Sequence, residues 1–554
     1  MNQKEKMRKM FRIKYSLKNI LDNIYIDIIC IGLLIWPMYV MIKRCEIIQN
    51  LRTATEASYF SVAAMLILSA YVTYKKYLFK TSEIIKVQKS REYDHIWMLL
   101  VMYMIVTASY ALMIIVKFNN MDGFDFQVIW YIIKRVILSY LLPGYLAILL
   151  GGVIGSFKKK AVLITGFVII LYLIGPSVYS IVRDMENISV IRGLSIFDIT
   201  SNNIFWVSGF VLDITFAPMW IRILSLIALV AVFYAWRIDK KIWRFLTCGI
   251  LLVCGIVGIV YYVLPHSNYM DESQRSYFAI IKHKQKETEV EDSKFVVEEY
   301  NLDLKFGRIL KARCDMKVGE SDKDFYTFTL NSFLRVDKVT ADGKVVDYEQ
   351  NGDYIKVCTG KASTISMSYS GPIIHYVCSG NYMYLPDGFT YYPVAGVKDT
   401  EALMDLYIES TTGGVFNDFE SLYRVSMNYD KQLYTNLESK GDGCYEGKAR
   451  SLFFMHGDTY ERTIKGIRFV LTKYPTMPKY YTEEYLEKLA DMLNTLEAEY
   501  NRGLNKRTVY YLEYEGLFGT FENNCVTDDH IIIVGSRVDM IGNKIREELE
   551  NVRN

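Results

Sequence analysis

Long apolar runs fill the first half of the chain and alternate with short polar segments. A helix needs about 20 apolar residues to cross the hydrocarbon core of a bilayer. Backbone groups in lipid must be paired within their own segment, so each run is predicted to be a transmembrane helix. The pattern predicts about seven spans, at residues 24–42, 57–74, 96–116, 136–156, 162–181, 219–236 and 243–264.

Basic residues gather in alternate polar segments, namely residues 1–22 and the loops after the second, fourth and sixth spans. Lys and Arg are enriched on the cytoplasmic side of membranes, so the N-terminus is predicted to be cytoplasmic. An odd number of spans then leaves the chain after residue 265 outside the cell. Residues 1–22 also mix basic with apolar positions, which predicts an amphipathic helix on the inner membrane surface. An unstructured basic tail is the alternative.

At residue 295 the pattern changes to short runs in which apolar and polar residues alternate, as is typical of β-strands. Asp342-Gly343 and Asn351-Gly352 predict two hairpin turns, because these residue types tolerate positive φ. Residues 295–475 are therefore predicted to form an antiparallel β-sandwich. Residues 266–294, rich in Lys and Glu, form a predicted stalk between the sandwich and the membrane-spanning residues 23–265.

A helix is predicted to follow the sandwich, within a small α/β part over residues 476–554. Thr482 is its expected N-cap and Gly503 marks its end. One face carries leucines at helical spacing: Leu486, Leu489, Leu493 and Leu496. Two strands are expected after it, at "RTVYYLEYE" and "HIIIVGS". The predicted fold class is an α-helical polytopic membrane domain followed by an extracellular, mainly-β sandwich with a small α/β C-terminal part.

Composition excludes several classes of protein. The chain has 554 residues, of which 51% are hydrophobic, so a disordered protein is excluded. The net charge of +3 is too small to favour nucleic acid as a partner. None of the nine cysteines forms a CxxC pair, so they predict no zinc or redox site.

The segment "YLFKTSEIIKVQKSREYDHIW" follows the second predicted span on the cytoplasmic side. Together with the basic N-terminal helix and the spans, it makes residues 1–240 resemble a bacterial ABC-transporter permease of the type-two exporter class. The resemblance implies location in the cell membrane, contact with lipid, and a homo- or heterodimer of permeases. It also implies that residues 81–93 dock onto an ATP-binding subunit, with these candidate coupling residues: Thr81, Glu83, Lys86, Arg91 and Glu92. The seventh span departs from the six-span pattern of that class.

An ATP site in this chain would require the P-loop pattern G-x-x-x-x-G-K-[ST], whose backbone amides and lysine hold the phosphates. The Gly-Lys pairs do not fit it, since Ser or Thr follows none of them: Gly343-Lys344-Val345, Gly360-Lys361-Ala362 and Gly447-Lys448-Ala449. ATP is therefore expected on a partner subunit, and no cofactor is expected in this chain.

The run "YNLDLKF…FYTFTLNSFLRVDKVTADGKVVDYE…ISMSYSG…YLPDGFTYYPV" resembles the N-terminal sandwich domain of thermolysin-like zinc aminopeptidases. That family needs H-E-x-x-H on one helix, which places two imidazoles on the metal and a carboxylate on the attacking water. No two of the six histidines here lie four residues apart. Arg546 stands about where the first would be, and an arginine cannot bind zinc as an imidazole does. Residues 476–554 are therefore expected to be a truncated start of the catalytic domain, with no catalytic and no metal residues.

The family's G-x-M-E-N motif has a closer counterpart, "GTFEN". By resemblance, the carboxylate of Glu522 pairs with the free amino terminus of a peptide, with Gly519 and Asn523 beside it. The alternative is a surface loop that has lost this role.

The expected function is a membrane-spanning permease subunit of an ABC-type exporter with a non-catalytic, peptidase-like extracellular domain that binds peptide-like cargo. Two alternatives stay open. One is a membrane-anchored aminopeptidase-related protein, inactive or completed by a separate chain. The other is a module for sensing or resisting peptide antibiotics. Without a P-loop or H-E-x-x-H, the chain is not expected to be an enzyme by itself.

Overall fold

The computed structural model places the helices and strands of the chain in two compact units. We call them the helical unit, whose helices lie between residues 24 and 263, and the β-rich unit, whose elements lie between residues 297 and 546. The structure describes residues 23–43, 47–78, 94–118, 126–157, 159–174, 217–238, 240–263, 290–307, 309–359, 361–371, 378–379, 382–385, 387, 390–398, 417–473, 481–512, 525–527, 530–534, 541–543 and 545–546.

The helical unit has a helix at each of the seven apolar stretches. They are α1 (Ile24–Lys43), α2 (Ile47–Leu78), α3 (Asp94–Phe118), α4 (Phe126–Val136) continued by a π-helical turn (Ile137–Leu141) and α5 (Leu142–Gly155), α6 (Lys160–Ile174), α7 (Ala217–Ala235) and α8 (Lys241–Val263). The amphipathic helix expected over residues 1–22 and the stalk expected over residues 266–294 fall almost entirely outside the described residues.

Length and hydropathy identify three candidate membrane spans among the described residues: Asp94–Lys117, Val128–Gly155 and Lys241–Tyr261. Three other helices are apolar but shorter, at Ile24–Val40, Lys160–Tyr172 and Trp220–Ala235. These shorter stretches fall below the roughly 20 apolar residues that a bilayer core requires. The structure therefore supports three of the seven predicted spans by this measure.

Two glycines allow α2 and α5 to pack with their backbones in contact. A Cβ atom on Gly151 would lie 2.7 Å from the carbonyl oxygen of Leu66, and one on Gly155 would lie 2.4 Å from that of Ala70. The Ser69 hydroxyl donates across the same contact to the carbonyl oxygen of Ile148 at 2.6 Å. The G-x-x-x-G spacing is typical of close helix pairs in membranes, where small residues and interhelical hydrogen bonds replace the hydrophobic effect.

The π-helical turn has a local cause in the sequence that follows it. Pro143, near the start of α5, has no backbone N–H, so the carbonyl four residues before it loses its usual donor. In the widened turn, the Tyr103 hydroxyl donates to the carbonyl oxygen of Tyr140 at 3.0 Å. Gly144 leaves room for the Tyr103 ring, since a Cβ there would lie 1.9 Å from the ring.

The described residues of the β-rich unit contain 21 strands in four sheets. Its strands are β1 (Val297–Phe306), β2 (Leu310–Val318), β3 (Tyr326–Thr329), β4 (Arg335–Ala341), β5 (Lys344–Val345), β6 (Tyr348–Asn351), β7 (Tyr354–Val357), β8 (Thr364–Gly371), β9 (Cys378–Ser379), β10 (Tyr382–Leu385), β11 (Val394–Ala395), β12 (Ser421–Met427), β13 (Tyr434–Thr435), β14 (Glu438–Gly441), β15 (Cys444–Ala449), β16 (Phe454–His456), β17 (Thr459–Ile464), β18 (Ile467–Thr472), β19 (Thr508–Leu512), β20 (Cys525–Val526) and β21 (His530–Val534).

Strands β1–β16 form three of the four sheets, and we call these three sheets the sandwich. An eight-stranded sheet has the order β14-β15-β12-β1-β2-β8-β4-β5, and two four-stranded sheets have the orders β13-β16-β10-β9 and β11-β3-β7-β6. Burial alternates along β2, where Leu310, Cys314 and Val318 are buried and Lys311 is exposed, as in a sheet with one covered face. The sandwich differs from the predicted antiparallel one at its centre, because β1 and β12 pair in parallel.

Both predicted hairpin turns are confirmed. Asp342 and Gly343 connect β4 to β5 with φ of 48° and 79°, and Gly352, with φ of 56°, lies between β6 and β7. The Asp342 carboxylate oxygen accepts hydrogen bonds from the Ser363 hydroxyl at 2.7 Å and the Thr364 backbone N–H at 2.9 Å. These donors hold the pKa of Asp342 below its ordinary value, so the stability they contribute is present above the unfolded pKa and lost as the pH falls through the folded one.

The fourth sheet, with the order β17-β18-β19-β21-β20, forms the α/β part together with helix α9 (Glu483–Tyr500). Its first strand begins at Thr459, before the expected domain boundary at residue 475. The predicted leucine face is confirmed: Leu486, Leu489, Leu493 and Leu496 are buried against one face of the sheet. After α9 the backbone turns left-handed at Asn501 and Gly503, as the predicted helix end requires.

Candidate functional site

All eight residues that the sequence proposes for a site lie outside the described part of the chain. They are Thr81, Glu83, Lys86, Arg91 and Glu92 for coupling, and Gly519, Glu522 and Asn523 for ligand binding. The structure describes the helices on either side of the first group and the strands on either side of the second. These elements define where the candidate segments must start and finish.

The coupling segment connects α2 to α3. Helix α2 ends at Leu78 and α3 begins at Asp94. Thr73 in the last turns of α2 and His95 in the first turn of α3 are both buried, and the Thr73 hydroxyl lies 3.0 Å from His95 Nε2. This hydrogen bond joins the two helices close to the start and finish of residues 79–93.

The candidate ligand-binding segment connects β19 to β20, and both of these strands pair with β21. β19 runs parallel to β21, and its last residue, Leu512, is in register with Val534. β20 is antiparallel, and its first residue, Cys525, is in register with Ile532. The chain therefore leaves β19 and enters β20 at the edge of the sheet where the parallel strands β19 and β21 have their carboxyl ends. Open α/β sheets bind ligands at this edge.

The residue that stands where a zinc ligand would be expected makes an ion pair instead. Arg546 Nη2 lies 3.4 Å from Glu499 Oε2, near the end of α9. Around Arg546, residues 541–543 and 545–546 are helical, and the side chains of Ile541 and Ile545 are buried with the α9 leucines. Across the described residues, no three His, Cys, Asp or Glu side chains are grouped so as to hold a metal ion.

A buried polar cluster lies between the sandwich and the α/β part, and sequence reasoning missed it. We call it the junction cluster: Asp387, Ser451, Thr527 and His530. Asp387 follows β10 and Ser451 follows β15, whereas Thr527 follows β20 and His530 is the first residue of β21. His530 Nε2 lies 2.6 Å from Asp387 Oδ2, and the Ser451 hydroxyl donates to Asp387 Oδ1. On the other side of the ring, His530 Nδ1 lies 2.9 Å from the Thr527 hydroxyl oxygen.

Both ring nitrogens of His530 lie within hydrogen-bond distance of a side chain in the junction cluster. A carboxylate can only accept, so His530 Nε2 carries a hydrogen toward Asp387. The Thr527 hydroxyl lies 3.0 Å from the carbonyl oxygen of His530, and it accepts the His530 backbone N–H at 3.2 Å.

The junction cluster contains Ser, Asp and His, but it is not arranged for nucleophilic catalysis. In a serine nucleophile site the histidine lies between the hydroxyl and the carboxylate, so that it can take the hydroxyl proton. Here the carboxylate of Asp387 lies between Ser451 and His530. The side chains of His530 and Asp387 are 4% and 0% exposed. The arrangement joins residues of the sandwich to residues of the α/β part.

Aromatic rings enclose the cluster. The Phe453 ring stacks on His530 with the ring centroids 5.0 Å apart, and Tyr510 contacts the same imidazole edge-on at 5.7 Å. Burial and the charge of Asp387 raise the pKa of Tyr391 well above its ordinary value. The ring of Tyr391 meets that of Tyr392 at 5.2 Å, so the junction cluster adjoins the tyrosine-rich core of the sandwich.

The position of His530 differs from what its neighbours in the sequence predict. Asp528, Asp529 and His530 together predict a solvated loop, but His530 is the buried first residue of β21. Its partner Asp387 is 143 positions away in sequence, which is why no local pattern marks the pair. Among the cysteines that the structure describes in the β-rich unit, Cys314, Cys358 and Cys444 are free thiols.

Comparison with known proteins finds similarity in solved structures only. No protein-family model matches the chain, and no curated protein does. Leukotriene A4 hydrolase from Saccharomyces cerevisiae is 10% identical over 43% of this chain and 40% of its own, with a TM-score of 0.29. An M1 zinc metallopeptidase mutant from Deinococcus radiodurans, bound to a Tyr-Ser-Ala substrate, is 15% identical over 39% of this chain and 56% of its own, with a TM-score of 0.27.

An aminopeptidase N family protein from Idiomarina loihiensis is 12% identical over 43% of this chain and 43% of its own, with a TM-score of 0.28. The solved structures similar to part of this chain are thus peptidase-like. The chain spans between 40% and 56% of the length of these three proteins.

Proposed function

We propose that this chain is the membrane-spanning permease subunit of an ABC-type exporter, with the β-rich unit outside the cell as a non-catalytic domain that binds peptide-like cargo. The observation that carries the proposal is the coincidence of a helix with each of the seven apolar stretches, while Lys and Arg alternate between the loops. Alternating basic loops are what fixes the topology of a multi-span protein.

In this proposal all seven helices cross the bilayer. Three helical segments meet the length and hydropathy criteria for a span. Helix α1, with 20 residues, has the length of a straight crossing, and helix α2, with 32 residues, has the length of a tilted one. Helix α6 covers 15 residues, and residues 175–181 of its predicted span lie outside the described part. Seven crossings carry the chain from a cytoplasmic N-terminus to an exterior β-rich unit.

Energy comes from a separate ATP-binding subunit, because the sequence contains no P-loop. The proposed docking site is the segment from Thr81 to Tyr93, between α2 and α3. The hydrogen bond between Thr73 and His95 supports this choice, because it joins α2 to α3 close to the two ends of the segment. A force on the segment would therefore act on both helices.

The cargo contact assigned to the β-rich unit is an ion pair between the carboxylate of Glu522 and the free amino group of a peptide. Its support is the position of the flanking strands, which lead residues 513–524 to the carboxyl-terminal edge of β19 and β21. A carboxylate at this edge binds an ammonium group strongly where water is excluded, because charge-assisted hydrogen bonds are stronger than neutral ones.

Neutralising the coupling segment tests the proposal. The triple variant E83Q/K86Q/E92Q is expected to co-purify about tenfold less of an ATP-binding subunit from the native membrane, since a few charged contacts dominate such interfaces. The measurement is the ATP-binding subunit recovered per permease, with ATPase activity as a second readout.

The matched control is E438Q/K440Q, which removes an exposed ion pair of the β-rich unit with 2.6 Å between its atoms. It is expected to recover as much ATP-binding subunit as the unaltered protein. Purified protein that carries no ATP-binding subunit at all, or a triple variant that retains it in full, would contradict the proposed function.

A further inference from the structure

We infer that the connection between α7 and α8 is a binding site for an anionic phospholipid. Its basic side chains bind the headgroup, and the outward side of α8 contacts an acyl chain. The inference rests on the proposed function in one respect, that α7 and α8 lie in a bilayer. It requires neither the ATP-binding subunit nor a cargo.

The connection lies at an end of the helical unit where basic residues gather. Helices α2 and α5 end side by side, since a Cβ on Gly155 would lie 2.4 Å from the carbonyl oxygen of Ala70. Helix α7 ends there as well, because the Tyr234 hydroxyl donates to the carbonyl oxygen of Leu149 at 2.6 Å. The basic residues at the end of α2 and the start of α6 are Lys75, Lys76, Lys159 and Lys160.

Four more basic residues belong to the connection itself: Arg237, Lys240, Lys241 and Arg244. The first three are exposed and Arg244 is half-buried. Asp239 is the one acidic residue between Trp236 and Phe245, and its structure lies outside the described residues. Four positive charges less one leave a net charge of +3. Basic clusters of this kind beside a membrane span attract anionic lipid headgroups.

Backbone and side-chain hydrogen bonds hold the connection in one shape. The Ile238 backbone N–H donates to the carbonyl oxygen of Ala235 at 3.1 Å, and that of Arg244 to Lys240 at 2.9 Å. Arg244 Nε donates back to the carbonyl oxygen of Ile238 at 2.9 Å. A guanidinium fixed in this way can donate with its two Nη atoms to one phosphate group.

Two tryptophans place these charges at the depth of the headgroups. Trp236 and Trp243 are 54% and 57% exposed, and the Trp236 ring meets that of Phe245 edge-on with the centroids 5.8 Å apart. Exposed tryptophans at the ends of membrane helices lie at headgroup level. The candidate span of α8 begins at Lys241, between the two tryptophans. The basic side chains and the phosphate of a lipid are therefore expected at the same height.

The outward side of α8 offers an apolar surface below the charges. Its inward side packs on α7, where a Cβ on Gly255 would lie 2.6 Å from the Leu229 side chain. Only 11% of the most apolar part of α8 is buried. The exposed residues that follow the basic end along one side are Ile242, Leu246, Gly249 and Val253. Nothing lies within 4 Å of a Cβ placed on Gly249, so this side is open at that point.

The length of this surface matches one lipid leaflet. From Ile242 to Val253 a helix rises about 16 Å, which is about half of a bilayer core. One phospholipid can therefore reach both the basic residues and the apolar residues below them. An acidic protein in the aqueous phase would complement only the charges. The combination of positive charge and a leaflet-deep apolar surface is why we assign the site to a lipid.

The experiment places the full-length protein in vesicles of dioleoyl-phosphatidylcholine. The same fraction of lipid is replaced by phosphatidylglycerol or by phosphatidylcholine with brominated acyl chains, which quench tryptophan fluorescence on contact. Quenching at the connection is the part that is lost in a W236F/W243F protein. Brominated phosphatidylglycerol is expected to associate about tenfold more strongly than brominated phosphatidylcholine, since each basic residue near a headgroup adds to the attraction.

Two quadruple variants separate a site from a diffuse charge. R237Q/K240Q/K241Q/R244Q is expected to abolish the preference for phosphatidylglycerol and to leave quenching by brominated phosphatidylcholine unchanged, which shows that α8 is still inserted. The matched control, K75Q/K76Q/K159Q/K160Q, removes as many charges at the same end of the helical unit. It is expected to keep most of the preference.

Three results would overturn the inference. They are equal quenching of the unaltered protein by the two lipids, equal loss of preference in the two quadruple variants, and no quenching at the connection by either lipid. Failure of the proposed function has a different signature, because the vesicles contain no ATP-binding subunit. That failure is measured by the recovery of the ATP-binding subunit from native membranes, whereas a missing lipid preference would leave that recovery unchanged.

Discussion

Leu493→Ala is expected to lower the free energy of opening of the five-stranded sheet by about 2–5 kcal/mol, because it leaves a cavity in a fully buried cluster. Leu493 lies on the α9 face that packs against the sheet, beside Leu489 and Leu496. Phe469, Val509 and Ile531, from three different strands, belong to the same cluster. The lost contacts therefore loosen several strands together.

Hydrogen exchange measured on the full chain tests this expectation, since protection of the amides in β18, β19 and β21 reports local opening. Glu487→Ala is the matched control on the exposed face of α9, and it should change protection by no more than about 0.5 kcal/mol. Equal effects of the two substitutions would show that α9 is not packed as described.

Gly155→Ala is expected to destabilise the helical unit by about 1–3 kcal/mol, through overpacking of the contact between α2 and α5. The added methyl group would lie 2.4 Å from the carbonyl oxygen of Ala70, and neither backbone can rotate away as a flexible side chain would. The two helices must separate, which also lengthens the hydrogen bond between Ser69 and Ile148.

Thermal unfolding in detergent measures this effect. The exposed thiols are first blocked, and a thiol-reactive dye then detects Cys30 and Cys248 as unfolding exposes them, because both are buried in the helical unit. Gly249→Ala is the control, since nothing lies within 4 Å of a Cβ placed there. Alanine is the better helix former, so this control is expected to keep or slightly raise the melting temperature. A Gly155→Ala protein as stable as the control would refute the close packing.

Local pattern was enough to predict a hairpin turn and a helix face of the β-rich unit. The hairpin at Asp342-Gly343 and the leucine face of α9 follow from turn chemistry and from periodicity, which are properties of neighbouring residues. Parallel pairing of β1 with β12 is different. It joins segments more than a hundred residues apart, and nothing within either strand specifies the partner.

The candidate site was predictable only as a region. The flanking strands lead residues 513–524 to one edge of a sheet, but Glu522 itself lies outside the described residues. The junction cluster escaped prediction because its contacts are long-range. A histidine beside two aspartates predicts a solvated loop, and only the fold brings Asp387 to it. In the helical unit, hydropathy predicted where the helices lie better than how many are long enough to cross a bilayer.

The proposed function requires an odd number of membrane crossings, which carries the β-rich unit outside the cell. Cys358 and Cys444 are exposed free thiols in that unit. Intact cells are treated with a membrane-impermeant maleimide, and the label on each cysteine is quantified by mass spectrometry against lysed cells. Both cysteines are expected to be labelled as fully in intact cells as in lysed ones. Labelling of Cys358 and Cys444 only after lysis would contradict it.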